Sequence, residues 1–178
     1  PISLYGASKL ACEALISSYC HTFDMQAWIY RFANIVGERG SHGVLVDFIR
    51  KLRENPAELE ILGSGRQKKS YLEVKDCVEA MLLCLQASDE KVSLFNIGSE
   101  DSVDVTEIAD IVVRLMGLKD VSYRYTGGDE GRGWKGDVRV MLLSLEKIKG
   151  LGWRAKGGSA QAIQSAVEAL LRDGSSGS

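Results

Sequence analysis

A tyrosine and a lysine near the start of the chain, Tyr5 and Lys9, are the residues best suited to carry chemistry. Their spacing of four predicts that both side chains lie on one face of a helix, one turn apart. An ammonium group beside a phenol favours the phenolate, so that the phenol can accept a proton near neutral pH. Such a pair can remove a hydroxyl proton while hydride leaves the same carbon, and we predict that it is catalytic.

Apolar residues at helical and extended spacing indicate which elements hold this pair. A predicted helix over 6–21 holds Lys9 and begins directly after Tyr5, a strand follows over 26–33, and 34–41 is predicted to be a loop. Asp76 is predicted to cap a later helix. The remaining predicted elements are helices over 44–53, 77–86, 104–116, 145–149 and 159–171, and strands over 59–62, 70–74, 93–97 and 121–125. Because strands and helices alternate, the predicted class is α/β.

Composition limits the possible partners. The chain has 178 residues, is 45% hydrophobic and carries a formal net charge of -2, which fits one domain with a substantial core. A nearly neutral balance argues against nucleic acid or a membrane surface as the main partner. No apolar run approaches the roughly 20 residues that span a bilayer.

The cysteines and histidines do not form a metal-binding pattern. No CxxC pair is present and the chain has two histidines, so no metal site is predicted. Small buried cysteines are typical of a reducing compartment, and the predicted location is the cytoplasm. The four cysteines are Cys12, Cys20, Cys77 and Cys84.

Six segments in a fixed order resemble one enzyme family. They are YGASK at 5–9, YRFANIVG at 30–37, GSGRQKKSYLEVKD at 63–76, FNIG at 95–98, GRGWKGDV at 131–138 and LGW at 151–153. Together they resemble the extended short-chain dehydrogenase/reductases, and more narrowly the NAD-dependent nucleotide-sugar epimerases and dehydratases. The run HGV at 42–44 with GRGW at 131–134 is most similar to UDP-glucose (UDP-galactose) 4-epimerases of archaeal type.

The resemblance implies roles at the catalytic end of the site. Tyr5 would remove the proton of the sugar 4-hydroxyl as hydride passes to the nicotinamide of NAD. Lys9 would hold the cofactor ribose and favour the phenolate of Tyr5. The backbone at Phe32 and Ala33 would lie near the nicotinamide.

The resemblance also implies a frame for the nucleotide. Asn34 would donate to the sugar or its diphosphate, although an asparagine after a strand is equally typical of a plain turn. Free N–H groups at His42-Gly43-Val44, the start of a helix, suit a diphosphate or a uracil carbonyl, although His42 itself could simply be solvated. Lys69 stands where the family usually has an arginine, so the charge is kept and the bidentate fork is lost. The alternative for Lys69 is a solvated basic loop.

A glycine-rich loop is expected to complete the nucleotide frame. Arg132 would contact a phosphate, and Asp137 would contact ribose or uridine hydroxyls. The alternative is a loop without a ligand role.

The dinucleotide-binding loop of the family, Gly-x-x-Gly-x-x-Gly after a first strand, is not recognisable in the sequence. Residues 37–43 have glycines spaced by three but fall in the substrate loop of the resemblance. We therefore expect residues 1–173 to be the second half of a Rossmann-like extended fold with its substrate lobe, without the N-terminal Rossmann half. Residues 174–178 are read as linker or tag residues.

Three functions stay open at this point. The chain could be a fragment of an NAD-dependent UDP-glucose/UDP-galactose 4-epimerase that is inactive alone and does not bind NAD by itself. It could be a non-catalytic, self-associating lobe that at most binds a UDP-sugar, or half of a sugar-nucleotide 4,6-dehydratase. In each case uncovered strands predict pairing with a second copy or with a complementary N-terminal half.

Overall fold

Helices and strands alternate through the computed structural model, which describes residues 1, 3–127 and 138–175. The α/β class is confirmed, and no helix in these ranges is long and apolar enough to span a bilayer. The helices are α1 (Leu4–Phe23), α2 (Val44–Glu54), α3 (Val74–Ala87), α4 (Val105–Leu115), α5 (Glu146–Gly150) and α6 (Ser159–Ser175). The strands are β1 (Ala27–Phe32), β2 (Asn34–Val36), β3 (Glu58–Ile61), β4 (Lys68–Lys69), β5 (Tyr71–Glu73), β6 (Val92–Ile97), β7 (Val103–Asp104), β8 (Ser122–Tyr125) and β9 (Val140–Met141).

Two local predictions were wrong. The segment expected to be a loop from residue 34 begins with β2, because these residues pair in parallel with β5. The cap of α3 is Glu73, whose carboxylate accepts hydrogen bonds from the N–H groups of Lys75 and Asp76. The carboxylate of Asp76 instead accepts from the backbone N–H of Lys156 at 2.8 Å, and so ties α3 to a distant turn.

The extended chain that leaves α1 changes partner partway along. β1 pairs in parallel with β6, and the N–H of Ala33 still donates to Ile97 at 2.8 Å. The next N–H, that of Asn34, donates to Ser70 at 3.1 Å, and from there β2 pairs with β5. Gly98 makes this divergence possible, because a Cβ at Gly98 would lie 2.9 Å from the Cβ of Ala33. We call the Ala33–Asn34 junction the strand switch.

Two apolar clusters hold the elements on either side of the strand switch. One packs α2, α4 and α6 over β3 and β5, and its fully buried members include Leu52, Leu59, Ile108 and Ile163. The other packs α3 and α5 against β5 and β6, and includes Leu72, Cys84, Phe95 and Ile148. Burial at this density makes these layers a stable platform on either side of the strand switch.

Helix α1 is seated differently from the others. Cys20 is its buried residue, whereas its apolar side chains Leu10, Leu15, Tyr19 and Phe23 are exposed. Within the described ranges, β1 beneath it has β6 as its single strand neighbour, so the other edge of β1 is open. This apolar helix face and strand edge form the uncovered side of the molecule.

A carboxylate anchors the start of α6. Ser159 is fully buried, and both its N–H and its hydroxyl donate to Asp101 at 2.8 Å. The same hydroxyl oxygen accepts from the N–H of Tyr71 in β5. Partial burial favours the neutral carboxyl of Asp101, but hydrogen bonds from Ser99 and Ser159 outweigh it and hold the pKa of Asp101 below its ordinary value.

Replacing this carboxylate tests the anchor. Asp101→Ala leaves the buried polar groups of Ser159 unpaired and is expected to lower the free energy of unfolding by about 1–3 kcal/mol. Since the pKa of Asp101 is lowered by folding, its stabilisation is present above about pH 4, the ordinary value for aspartate, and is lost as the pH falls through the folded-state pKa. Urea denaturation at several pH values measures both effects. Asp89→Ala, at an exposed aspartate before β6, is the control; equal losses in the two variants would contradict the anchoring role.

Candidate active site

The first turn of α1 presents the predicted catalytic pair. The hydroxyl of Ser3 accepts a hydrogen bond from the N–H of Gly6 at 3.1 Å, so the helix starts at Leu4 and Tyr5 lies in its first turn. The Lys9 ammonium nitrogen lies over the Tyr5 ring, 5.5 Å from its centroid. The two side chains therefore share one face, as their spacing predicts, and Tyr5 is 70% exposed.

A cleft of about 750 Å³ separates this helix face from β1. The strand side of the cleft is formed by the end of β1 and the strand switch, which bring Phe32, Ala33 and Asn34 opposite Tyr5 and Lys9. Lys69 of β4 also lines this cleft. Six of the predicted site residues thus line one space, although they come from four different elements and the strand switch.

A second cleft, of about 450 Å³, lies on the other side of Asn34 and Lys69. Its wall is the start of α2, and the predicted residues there are His42, Gly43 and Val44. Asn34 and Lys69 line both clefts. The two clefts therefore adjoin at Asn34 and Lys69, which lie between the start of α2 and the side chains of Tyr5 and Lys9.

The start of α2 is built to expose its backbone N–H groups. Gly43 is the N-terminal cap residue, with no side-chain cap and with φ 99° and ψ 178°. That conformation is essentially confined to glycine. The carboxylate in the first turn, Asp47, is occupied by ion pairs of 2.8 Å to Arg50 and Lys51. The partial positive charge of the helix start therefore faces the cleft together with Lys69.

Asn34 is held in place by the strand switch. Its backbone N–H and its side-chain amide both donate to the carbonyl oxygen of Ser70, at 3.1 Å each. An amide nitrogen carries two hydrogens, so the second can be offered to a ligand. The hydroxyl of Ser70 bonds in turn to the carbonyl and the N–H of Ser99. The Asn34 side chain is thus oriented before any ligand arrives.

Three further predicted site residues are His42, Arg132 and Asp137. The imidazole of exposed His42 lies 3.2 Å from the hydroxyl of Ser41. Arg132 and Asp137 lie outside the described residues, so their roles stay predictions. Across the described ranges, no three His, Cys, Asp or Glu side chains are grouped so that they could hold a metal ion.

Sequence reasoning missed several residues that line the two clefts. Tyr71 and Arg39 line the cleft at α2, and Glu13 and Arg31 line the cleft at α1. Glu13 did carry a signal, because it continues the four-residue spacing of Tyr5 and Lys9 along one helix face.

Known proteins share this arrangement of elements. A UDP-galactose 4-epimerase of known structure superposes with a TM-score of 0.85 at 39% identity, over 97% of this chain and 55% of that one. The UDP-glucose 4-epimerase of Thermotoga maritima, solved with UDP-glucose, gives a TM-score of 0.80 at 29% identity, over 97% of this chain and 55% of that one. The fold is thus that of part of an extended, Rossmann-like short-chain dehydrogenase/reductase.

Sequence comparison identifies the family. The model of the NAD dependent epimerase/dehydratase family matches residues 1–98. An archaeal protein of Methanocaldococcus jannaschii, named "Putative UDP-glucose 4-epimerase", is 32% identical over 158 residues, which are 86% of this chain and 48% of that protein. This chain belongs to the NAD dependent epimerase/dehydratase family, as the motifs predicted. It spans about half the length of the curated relatives it matches.

A substitution at the start of α2 tests its geometry. Gly43→Ala introduces a Cβ that meets no atom within 4 Å, so its cost comes from the backbone conformation alone. We expect a loss of about 1–3 kcal/mol in the free energy of unfolding, measured by urea denaturation. Gly150→Ala in α5 is the matched control, because its Cβ also meets nothing and its φ is not in the left-handed region; it should stay within about 1 kcal/mol of the parent. Similar stability of the two variants would contradict the strained helix start.

Proposed function

We propose that this chain is the substrate-binding and proton-transferring half of an NAD-dependent 4-epimerase of UDP-glucose and UDP-galactose. The observation that carries the proposal is the meeting of the two clefts at Asn34 and Lys69. One cleft offers an anion site and the other offers a tyrosine–lysine pair. A nucleotide-sugar has the matching form, with a diphosphate between a nucleoside and a reactive sugar.

The anion site would take the diphosphate. The start of α2 supplies N–H groups, Lys69 supplies a positive charge, and Asn34 supplies a neutral donor. The sugar would then extend into the cleft of α1. The names of the similar structures, which are UDP-galactose and UDP-glucose 4-epimerases, support a uridine diphosphate sugar as the ligand.

Proton transfer would fall to Tyr5. Its phenol is close to the Lys9 ammonium and opens onto the same cleft as Asn34. The phenolic oxygen of Tyr5 would accept the proton of the sugar 4-hydroxyl and later return it to the same oxygen. Bound NAD would supply a nicotinamide that accepts hydride from the sugar carbon and gives it back to the opposite face of that carbon.

The residues present fit one side of that cofactor only. Phe32 and Ala33 form an apolar wall opposite Lys9, which suits a nicotinamide and its ribose. The sequence has no recognisable glycine-rich loop for the cofactor phosphates. We therefore propose that the isolated chain does not hold NAD, and that a complementary half, equivalent to the rest of its longer relatives, completes the site.

The uncovered side of the molecule supports such a partner. The open edge of β1 can accept a further strand, and the apolar face of α1 can be covered by helices. We propose that a complementary half binds at the strand edge and that a second copy binds at the helix face.

The alternative function, half of a sugar-nucleotide dehydratase, uses the same described residues. Analysis of the reaction product therefore decides between the two reactions. A cytoplasmic location remains a prediction from cysteine usage.

Ligand binding is tested with two neighbouring lysines. Lys69 lines both clefts, whereas its neighbour Lys68 lines neither of them and is exposed. Lys69→Gln should weaken binding of UDP-glucose about tenfold or more, because one charged hydrogen bond to the diphosphate is worth at least about 1.5 kcal/mol. Lys68→Gln should bind like the parent. Isothermal titration calorimetry gives both affinities, and equal weakening by the two variants would indicate only a general charge effect.

The catalytic assignment is tested by complementation. The chain with NAD and UDP-galactose is expected to form no UDP-glucose. A mixture with the portion of the Methanocaldococcus relative that lies outside the match should form it. Tyr5→Phe in that mixture should reduce the rate by about 10²–10⁴-fold, the usual contribution of a general base. Chromatography of the sugar nucleotides provides the measurement. Turnover by the chain alone would overturn the claim that it is half of the enzyme.

A further inference from the structure

Glu13 and Arg31 join the helix that carries the catalytic pair to the strand that carries the rest of the site. Arg31 Nε donates to Oε1 of Glu13 at 2.8 Å, and Arg31 Nη2 donates to Oε2 at 2.6 Å. Glu13 follows Tyr5 and Lys9 on one helix face, and all of these residues line the same cleft. Arg31 directly precedes Phe32 of the cleft wall.

Two parallel hydrogen bonds constrain an angle as well as a distance. A carboxylate and a guanidinium joined in this way are held nearly coplanar, which a single ammonium contact does not achieve. Helix α1 needs such a constraint, because its apolar face is exposed and Cys20 is its buried residue. The ion pair of Asp24 with Lys91 follows the far end of the helix, about 16 Å along the axis from Glu13.

The ion pair of Glu13 with Arg31 affects the orientation of α1 more than it affects the free energy of unfolding. Arg31 and Glu13 side chains are 47% and 18% exposed, and ion pairs in such surroundings add little to the free energy of unfolding. A rotation of α1 by about 20° would, however, move an atom roughly 8 Å from the helix axis by about 3 Å. A misplacement of about 1 Å can cost an enzyme roughly a hundredfold in rate.

We infer that Glu13 is a positioning residue, which fixes the rotation of α1 against β1 through Arg31 and so directs Tyr5 and Lys9 toward Asn34. The hydrogen bond from Arg31 also holds the pKa of the Glu13 carboxyl below its ordinary value, so the carboxylate is charged at neutral pH. The catalytic meaning of this role rests on the proposed function. The geometric role itself needs no ligand, so it can fail or succeed independently of that function.

The test measures the orientation of α1 directly. Nitroxide labels are placed at Ala11→Cys on α1 and Lys119→Cys after α4, both exposed positions, in a chain with Cys12→Ser. Excess unlabelled chain ensures that the distances are intramolecular. Double electron–electron resonance then gives the distance distribution, and urea denaturation of the same samples gives the stability.

Three substitutions in this labelled chain separate positioning from stabilisation. Glu13→Gln removes the charge, and Arg31→Lys keeps the charge but removes the fork. Both should shift or broaden the distance distribution by about 3 Å, as a 20° rotation would, while the urea midpoint changes little. Asp24→Asn removes the ion pair with Lys91 that follows the end of α1, and it should leave the distance distribution as in the parent. Unchanged distributions in Glu13→Gln and Arg31→Lys, with or without a lower urea midpoint, would overturn the inference. So would an equal shift in Asp24→Asn.

Discussion

The strand switch is the constraint on which the site depends. One extended chain must pair with β6 up to Ala33 and with β5 from Asn34 onward. The close approach of Gly98 to Ala33 and the bonds of Ser70 to Asn34 and Ser99 fix the point of divergence. Two clefts open on either side of this point, since the elements on each side follow different sheet partners.

The sequence predicted the local elements well, because their signals are local. The helix predicted over 104–116, for example, is α4, where Asp104 caps the first turn and Gly117 follows the end with φ 69°. It failed at β2, whose three residues become a strand only through pairing with β5. It also failed at Asp76, because the partner of that carboxylate is Lys156, far along the chain.

The residues of the site also fall into some that the sequence could indicate and others that it could not. Spacing indicated Tyr5 and Lys9, the family resemblance added Asn34 and Lys69, and the fold places all four around two adjoining clefts. Arg31 could not be selected from sequence, because its importance depends on a carboxylate in a different element. The buried clusters hold the elements around the cleft at α2, whereas α1 lies on the uncovered side and is joined to β1 by the ion pair of Glu13 with Arg31.

A nucleotide-sugar that binds as proposed must span the strand switch. Amide chemical shifts of the isotope-labelled chain, recorded while UDP-glucose is added, show whether one ligand does so. We expect saturable shifts at Asn34, at Gly43 and Val44, and at Lys69, together with smaller shifts near Tyr5. Shifts confined to the separate surface cleft bounded by Arg66, Thr106 and Tyr125 would contradict this placement of the ligand.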